Sequence, residues 1–339
     1  MRNSCTYKIA GTKTFRLSST KILGKWGGNL QNIEKSMRQI YVPDEGKIFC
    51  QVDQSGAEAL IVAYIGEKGK FRTLFENNVK PHVYVALMLF ADIWEKKMRR
   101  SSEDFWIKDI VSCPIPELKK NAYWKDLDLL IKDSDNWALD ERYYYLAKQT
   151  CHSSNYGIAP PTFRMNILEK SGGKIVITKE DSERFISTYH SLFPEIENWH
   201  RSVQKQVEKS KMLYNLHGHP YTISKYQINE TDWKELYAWV PQSTVGEITS
   251  IAYTALQQYI EQNKLAWDLL ANTHDSYLIQ CPIEEVKECA IKAKEFMEQE
   301  FTSPVDDVKF RMKSEAQVGF NWRPFKEHKN PQGLKEIKL

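Results

Sequence analysis

The 339-residue sequence contains no apolar run of the roughly 18 residues that a membrane helix requires, so a helix-spanning membrane protein is excluded. Its N-terminal stretch, Met1 to Ser19, carries basic side chains but no apolar segment, which excludes a secretory signal. The six cysteines, Cys5, Cys50, Cys113, Cys151, Cys281 and Cys289, form no Cys-x-x-Cys pair. That spacing excludes a zinc ribbon and a dense disulfide scaffold, and it suits a reducing compartment. Internal repeats and low-complexity tracts are also missing, so solenoid, collagen-like and disordered architectures drop out. Neither charge sign dominates, with 47 Lys plus Arg against 44 Asp plus Glu. Such a balance neither demands nor forbids a nucleic-acid partner. The expectation is a soluble chain of the cytoplasm.

What is present is an ordinary globular composition, 42% hydrophobic and 27% charged, with 10 Trp and 17 Tyr. Those aromatics permit base stacking, although core packing uses most aromatics in any protein. The first forty residues read as extended or looped. Lys47 to Val52 reads as a buried strand ending at Asp53, and Ala57 to Ile65 as a helix closed by Gly66. Helical patterns follow at Val83 to Ile93, Tyr123 to Ile131 and 140–156, with the basic cluster Lys96, Lys97, Arg99, Arg100 and the break Cys113 to Pro116 between the first two. Lys179 to Lys211 reads as an amphipathic stretch interrupted at Pro194, and Trp233 to Gln262 as a helix distorted by Pro241. Two strands surround a turn at His274-Asp275-Ser276, then a helix from Glu284 to Phe301 and a strand with tail from Phe310 to Trp322. The predicted class is α+β, mostly helical, with a small antiparallel sheet assembled from distant segments.

Asp53 and Asp275 are thus both placed at strand ends. Two such carboxylates can share a pair of divalent ions roughly 3.5–4 Å apart and serve phosphoryl transfer. Magnesium suits the task because it takes few protein ligands. Taken one at a time, Asp53 reads better as a cap of the following helix and Asp275 as a turn residue.

The surrounding motifs decide between these. Thr14-Phe-Arg-Leu-Ser-Ser19, Asn29-Leu-Gln-Asn-Ile33 and Arg38-Gln-Ile-Tyr-Val-Pro43 lead into Val52-Asp-Gln-Ser-Gly-Ala-Glu58. Lys148 is followed by Tyr156-Gly157, then by Thr273-His-Asp-Ser276 and Val318-Gly-Phe-Asn-Trp322. This succession resembles the family A DNA polymerases, the bacterial polymerase I type, from Tyr7 to Trp322. The resemblance implies a right-hand polymerase palm in residues 1–66 and 230–339, with helical fingers in 67–229. The stretch 93–140 is longer than its bacterial counterpart. It further implies template-directed DNA synthesis with two Mg2+ held by Asp53 and Asp275, Mn2+ being able to substitute. Lys148 would bind the phosphates of the incoming nucleotide, assisted by His82 and by Gln54 and Ser55 beside Asp53. Tyr156 would stack beneath the templating pair, near His152. Arg16 would read the minor groove at the primer end, Gln31, Asn32, Gln242 and Lys234 would contact the duplex, and His274 would support the primer terminus. Glu58 matches the family's steric gate against the ribose 2′-hydroxyl, which implies a preference for deoxynucleotides.

Some positions depart from the pattern. Tyr144 stands where a second basic residue is usual on the fingers helix, Arg142 lying two residues further back. His152 replaces an aromatic Phe or Tyr, Ser276 an acidic residue, and Lys234 and Ala238 the usual Arg and Asn. Because Tyr7 already aligns inside the palm, the resemblance covers palm and fingers only. It suggests a protein partner supplying thumb and exonuclease in a bacterial or phage-infected cell, or else a fragment of a larger chain or a chain that copies distributively alone. A single-subunit RNA polymerase, a metal nuclease and a non-catalytic DNA-binding subunit remain as alternatives, the first opposed by Glu58.

Overall fold

The computed structural model describes residues 3–9, 11–22, 27–136 and 141–339. Its centre is a five-stranded antiparallel sheet made from Lys47–Gln54 (β1), Asp268–Asn272 (β2), Ser276–Pro282 (β3), Ser314–Gly319 (β4) and Lys335–Glu336 (β5), in the order β5-β4-β1-β3-β2. β1 is central, which explains why Ile48 to Val52 is buried on both faces. Side chains alternate along a strand. Ile48, Cys50 and Val52 therefore enter the main core with the helix Val286–Met297, while Phe49 joins Leu278 and Trp322 in a smaller cluster on the other face. Gln51 lies on that second face too and accepts from Trp322 Nε1 at 2.8 Å. Asp53 continues this face, beyond the cover that Trp322 provides.

Four helices carry most of the other candidate site residues: Ala57–Ile65 (α1), Pro81–Leu89 (α2), Tyr143–Ser154 (α3) and Glu230–Asn263 (α4). The 34-residue α4 starts from a capping box in which Asn229 and Asp232 exchange hydrogen bonds. As expected, it runs on through Pro241: the ring deletes one bond, to the Tyr237 carbonyl, while the flanking apolar side chains stay buried against the core. α2 packs extensively along α3, which brings His82 on the first turn of α2 beside Tyr144 on α3, ring centroids 6.2 Å apart.

Several expected boundaries move. The helix expected over 140–156 begins at Tyr143, after a two-residue strand Glu141–Arg142; position 140 lies outside the described residues. The last helix stops at Met297, because Phe301 is needed in a hairpin with Phe310. That hairpin also splits the expected final strand, leaving β4 to begin at Ser314. A helix at Pro160–Lys170 and a hairpin pairing Met212–Tyr214 with Pro220–Thr222 were not anticipated. Among the described residues no helix is long and apolar enough to cross a membrane.

Candidate active site

The register of β1 and β3 sets Asp53 directly opposite Ser276, and the Gln54 amide donates to the Asp275 carbonyl at 3.0 Å. Asp275 is held in a tight turn in which Thr273 N–H donates to the Ser276 carbonyl (2.8 Å) and His274 adopts a left-handed φ of 70°. The two carboxylates thus share one end of the sheet. Burial and the neighbouring Asp275 charge push the Asp53 carboxyl up to about 7, with Glu315 adding to the rise; burial also raises Asp275. Glu315 was not foreseen. It lies opposite Asp53 on β4 and accepts from Ser55 Oγ at 2.8 Å. Sequence spacing alone does not reveal such a partner, because the contact depends on which strand flanks β1.

Positive charge faces this acidic end. Lys148, Lys35 and Arg38 all lower the cost of ionising Asp53, Lys148 from the exposed side of α3. Arg38 is braced over the Trp322 ring, 4.6 Å from its centroid. Helical spacing puts Tyr144, Lys148 and His152 on one stripe of α3. His82 sits behind them, its pKa pushed down to about 3 by burial and by the charge of Lys148, so it is neutral at pH 7.

A third group closes the site. Glu58, on the first turn of α1, accepts from the Tyr156 hydroxyl at 2.5 Å through Oε2 and pairs with the Arg16 guanidinium through Oε1. Tyr156 is buried just past the end of α3, and Gly157 beside it has φ +69°. A Cβ at Gly157 would stand 3.2 Å from the Tyr237 ring, so both the conformation and the space favour glycine.

Other expected contacts fall elsewhere. Gln54 points into the core, donating to Thr249 Oγ1 at 2.7 Å, because it alternates with Asp53. Gln31 is buried with both ends of its amide used, by Ser19 N–H and the Leu17 carbonyl, so its side chain does not reach a duplex. Asn32 is exposed, and Gln242 is partly exposed on α4. Lys234 pairs with Glu230 at 2.9 Å, one turn back on the same helix. Arg142 donates to the Lys174 carbonyl at 2.9 Å rather than joining the Lys148 stripe.

The chain has recognisable relatives. Residues 133–324, more than half of the chain, match DNA polymerase family A. The DNA polymerase I of Caldicellulosiruptor bescii is 24% identical over 328 residues, covering 94% of this chain and 31% of that protein. A DNA polymerase of Bacillus phage SP01 is 26% identical over 159 residues, covering 44% of this chain and 17% of the phage protein. The POL domain of Pol1 from M. smegmatis, solved in complex with DNA primer-template and dNTP, superposes with a TM-score of 0.65. It is 19% identical, and the match covers 94% of this chain and 48% of that one. The chain spans about a third of the length of its first curated relative. It belongs to DNA polymerase family A.

Proposed function

We propose that the chain carries the nucleotidyl-transfer centre of a template-directed DNA polymerase, adding deoxynucleotides to a primer 3′-hydroxyl. The observation that supports this most is the meeting of Asp53 and Asp275, from opposite ends of the chain, on adjacent strands facing the Lys148 stripe. Residues 1–66 and 230–339 would be the palm, and 67–229 the fingers. Primer-template DNA and dNTPs, present with the M. smegmatis neighbour, would be the substrates here.

The donors fit hard divalent cations. Two carboxylates whose protons are held by burial and mutual repulsion gain from a dication, and Mg2+ uses one or two of them plus substrate phosphates. When bound, Mg2+ or Mn2+ supplies Lewis-acid neutralisation of the triphosphate and acidifies the primer hydroxyl. Lys148 provides a point charge for the phosphates, and neutral His82 offers a ring N–H without adding repulsion to that lysine. Tyr156 and Glu58 form the wall against which base and sugar rest.

The deciding experiment is extension of a primed template by the purified chain with dNTPs or rNTPs. Incorporation of neither, with Mg2+ present and the protein folded, overturns the proposal. Lys148→Ala is expected to raise the KM for dNTP about tenfold to a hundredfold, the worth of a hydrogen bond to a charged group. An unchanged KM removes Lys148 from the phosphate site.

Metal binding has a stability signature. Asp53 is pushed up to about 7 in the folded chain, from the ordinary carboxylate value of 3.8. Folding therefore favours its protonated form: this contribution is complete below about pH 4 and is lost as pH rises through 7. A dication must displace that proton, so affinity grows over the same interval. Mg2+ at about ten times its dissociation constant is expected to raise the melting temperature by about 2 °C at pH 8 and by much less at pH 5. The shift should vanish in Asp53→Asn. A shift of equal size in that variant, or one independent of pH, places the metal elsewhere.

A further inference from the structure

Arg16 does more in this structure than stand at the edge of a groove. Its guanidinium takes one oxygen of Glu58 while Tyr156 donates to the other, so both oxygens of a single carboxylate are engaged. The Arg16 and Glu58 side chains are each about one-fifth exposed, 20% and 19%, so solvent reaches the pair only partly.

The backbone that carries Arg16 is pinned to α4. A Cβ on Gly246 would lie 2.6 Å from the Thr14 carbonyl oxygen and 3.1 Å from the Arg16 nitrogen, so only glycine lets the segment lie this close. Trp239 Nε1 donates to the Lys13 carbonyl at 2.8 Å, and Thr12 Oγ1 to the Arg16 carbonyl at 3.0 Å. Between them Phe15 takes a φ of 57° and sets its ring edge-on to Trp239. The guanidinium thus starts from a fixed base.

Two buried polar atoms nearby have no hydrogen-bond partner among the described residues, Arg16 Nε and His274 Nδ1. Unsatisfied buried groups are rare in native proteins. The Arg16 charge also acts on His274 and Asp275, so the arginine lies close enough to this turn to influence both. One side chain therefore connects the acidic end of the sheet to Glu58.

Building on the polymerase assignment, we propose that Arg16 is a positioning residue for sugar selection: it holds the Glu58 carboxylate against Tyr156, and so fixes the wall that a 2′-hydroxyl meets. A glutamate with three rotatable bonds and one partner sweeps a range of positions. With Arg16 in place it does not, and the gate stays shut to ribose. Without Arg16 the carboxylate swings aside or accepts a hydrogen bond from the 2′-hydroxyl, and both changes favour ribonucleotides.

The test is the ratio of kcat/KM for a dNTP to that for the matching rNTP, on one primed template. Arg16→Ala is expected to lower this ratio about tenfold or more, the scale of one charged hydrogen bond. Arg16→Lys should keep part of the ratio, since an ammonium pairs with one oxygen but lacks the guanidinium fork. Glu58→Gln, which preserves shape and weakens the pairing, provides a second route and should shift the ratio in the same direction. Melting temperature and circular dichroism report whether each variant folds. If dNTP and rNTP efficiencies fall by the same factor in Arg16→Ala, with the ratio unchanged there and in Glu58→Gln, Arg16 serves only to bind DNA and the inference fails alone. A wild-type chain that incorporates neither sugar overturns the polymerase assignment, and this inference with it.

Discussion

Replacing Asp275 by asparagine is expected to slow primer extension by at least about a thousandfold while the protein stays folded. A thousandfold corresponds to about 4 kcal/mol of transition-state stabilisation, within the several kcal/mol that a bound metal contributes to phosphoryl transfer. Asparagine keeps the size of the side chain and leaves untouched the main-chain bonds of the turn, from the Asp275 amide to the Thr273 carbonyl (2.9 Å) and from the Gln54 amide to the Asp275 carbonyl (3.0 Å). What it removes is one of two charges that would hold the cations. Stability should rise rather than fall near neutral pH, because burial already disfavours this carboxylate. A lower rate with an equal or higher melting temperature therefore separates catalytic loss from misfolding. Single-turnover extension at saturating dNTP is the measurement. A variant that retains a tenth of wild-type activity places the chemistry away from this turn. Glu315→Gln is an informative companion, since Glu315 shares the face of Asp53 but is occupied by Ser55.

The parts of this site legible in the sequence were those governed by local period. The apolar run of β1 with Asp53 at its end, the 3.6-residue spacing of α1 and the turn before Ser276 depend on near neighbours only. Gln54 shows how far that logic extends: a period of two already sends its side chain away from Asp53, yet motif matching alone places it with the nucleotide contacts. The unanticipated helix Pro160–Lys170 opens on Pro160-Pro161, and proline is favoured in a first helical turn. Its fixed φ suits that position and the missing N–H costs nothing there. What sequence spacing did not carry were contacts set by sheet order and loop packing. Glu315 opposite Asp53, Gln31 folded under Ser19, and Arg16 bound to Glu58 are each decided by a third element that brings two segments together. Arg38 over Trp322 belongs with them: its pairing links the first forty residues to the end of β4. Such contacts are where the site differs most from a string of motifs.

Glu58→Ala is expected to raise ribonucleotide incorporation relative to deoxynucleotide by about tenfold to a hundredfold, the cost of forcing an extra group into a filled space. The proposed gate would work by exclusion: Glu58 stands on the first turn of α1, five residues beyond Asp53, where its carboxylate is clamped between Tyr156 and Arg16. Alanine deletes the obstacle and leaves an unfilled space in its place. It also strands the Tyr156 hydroxyl in a buried position, which costs about 1–3 kcal/mol of stability. Incorporation of dNTP should therefore fall while that of rNTP rises, and the opposed directions are the mark of a gate rather than of general damage. Glu58→Gln serves as the control for that stranded hydroxyl, because its amide oxygen still accepts from Tyr156 while the charge that binds Arg16 is gone. Parallel kcat/KM measurements for both sugars on the same primed template decide the matter. Equal losses for both would show that Glu58 merely braces Tyr156, and the preference for deoxyribose would then have to come from another surface of the nucleotide pocket.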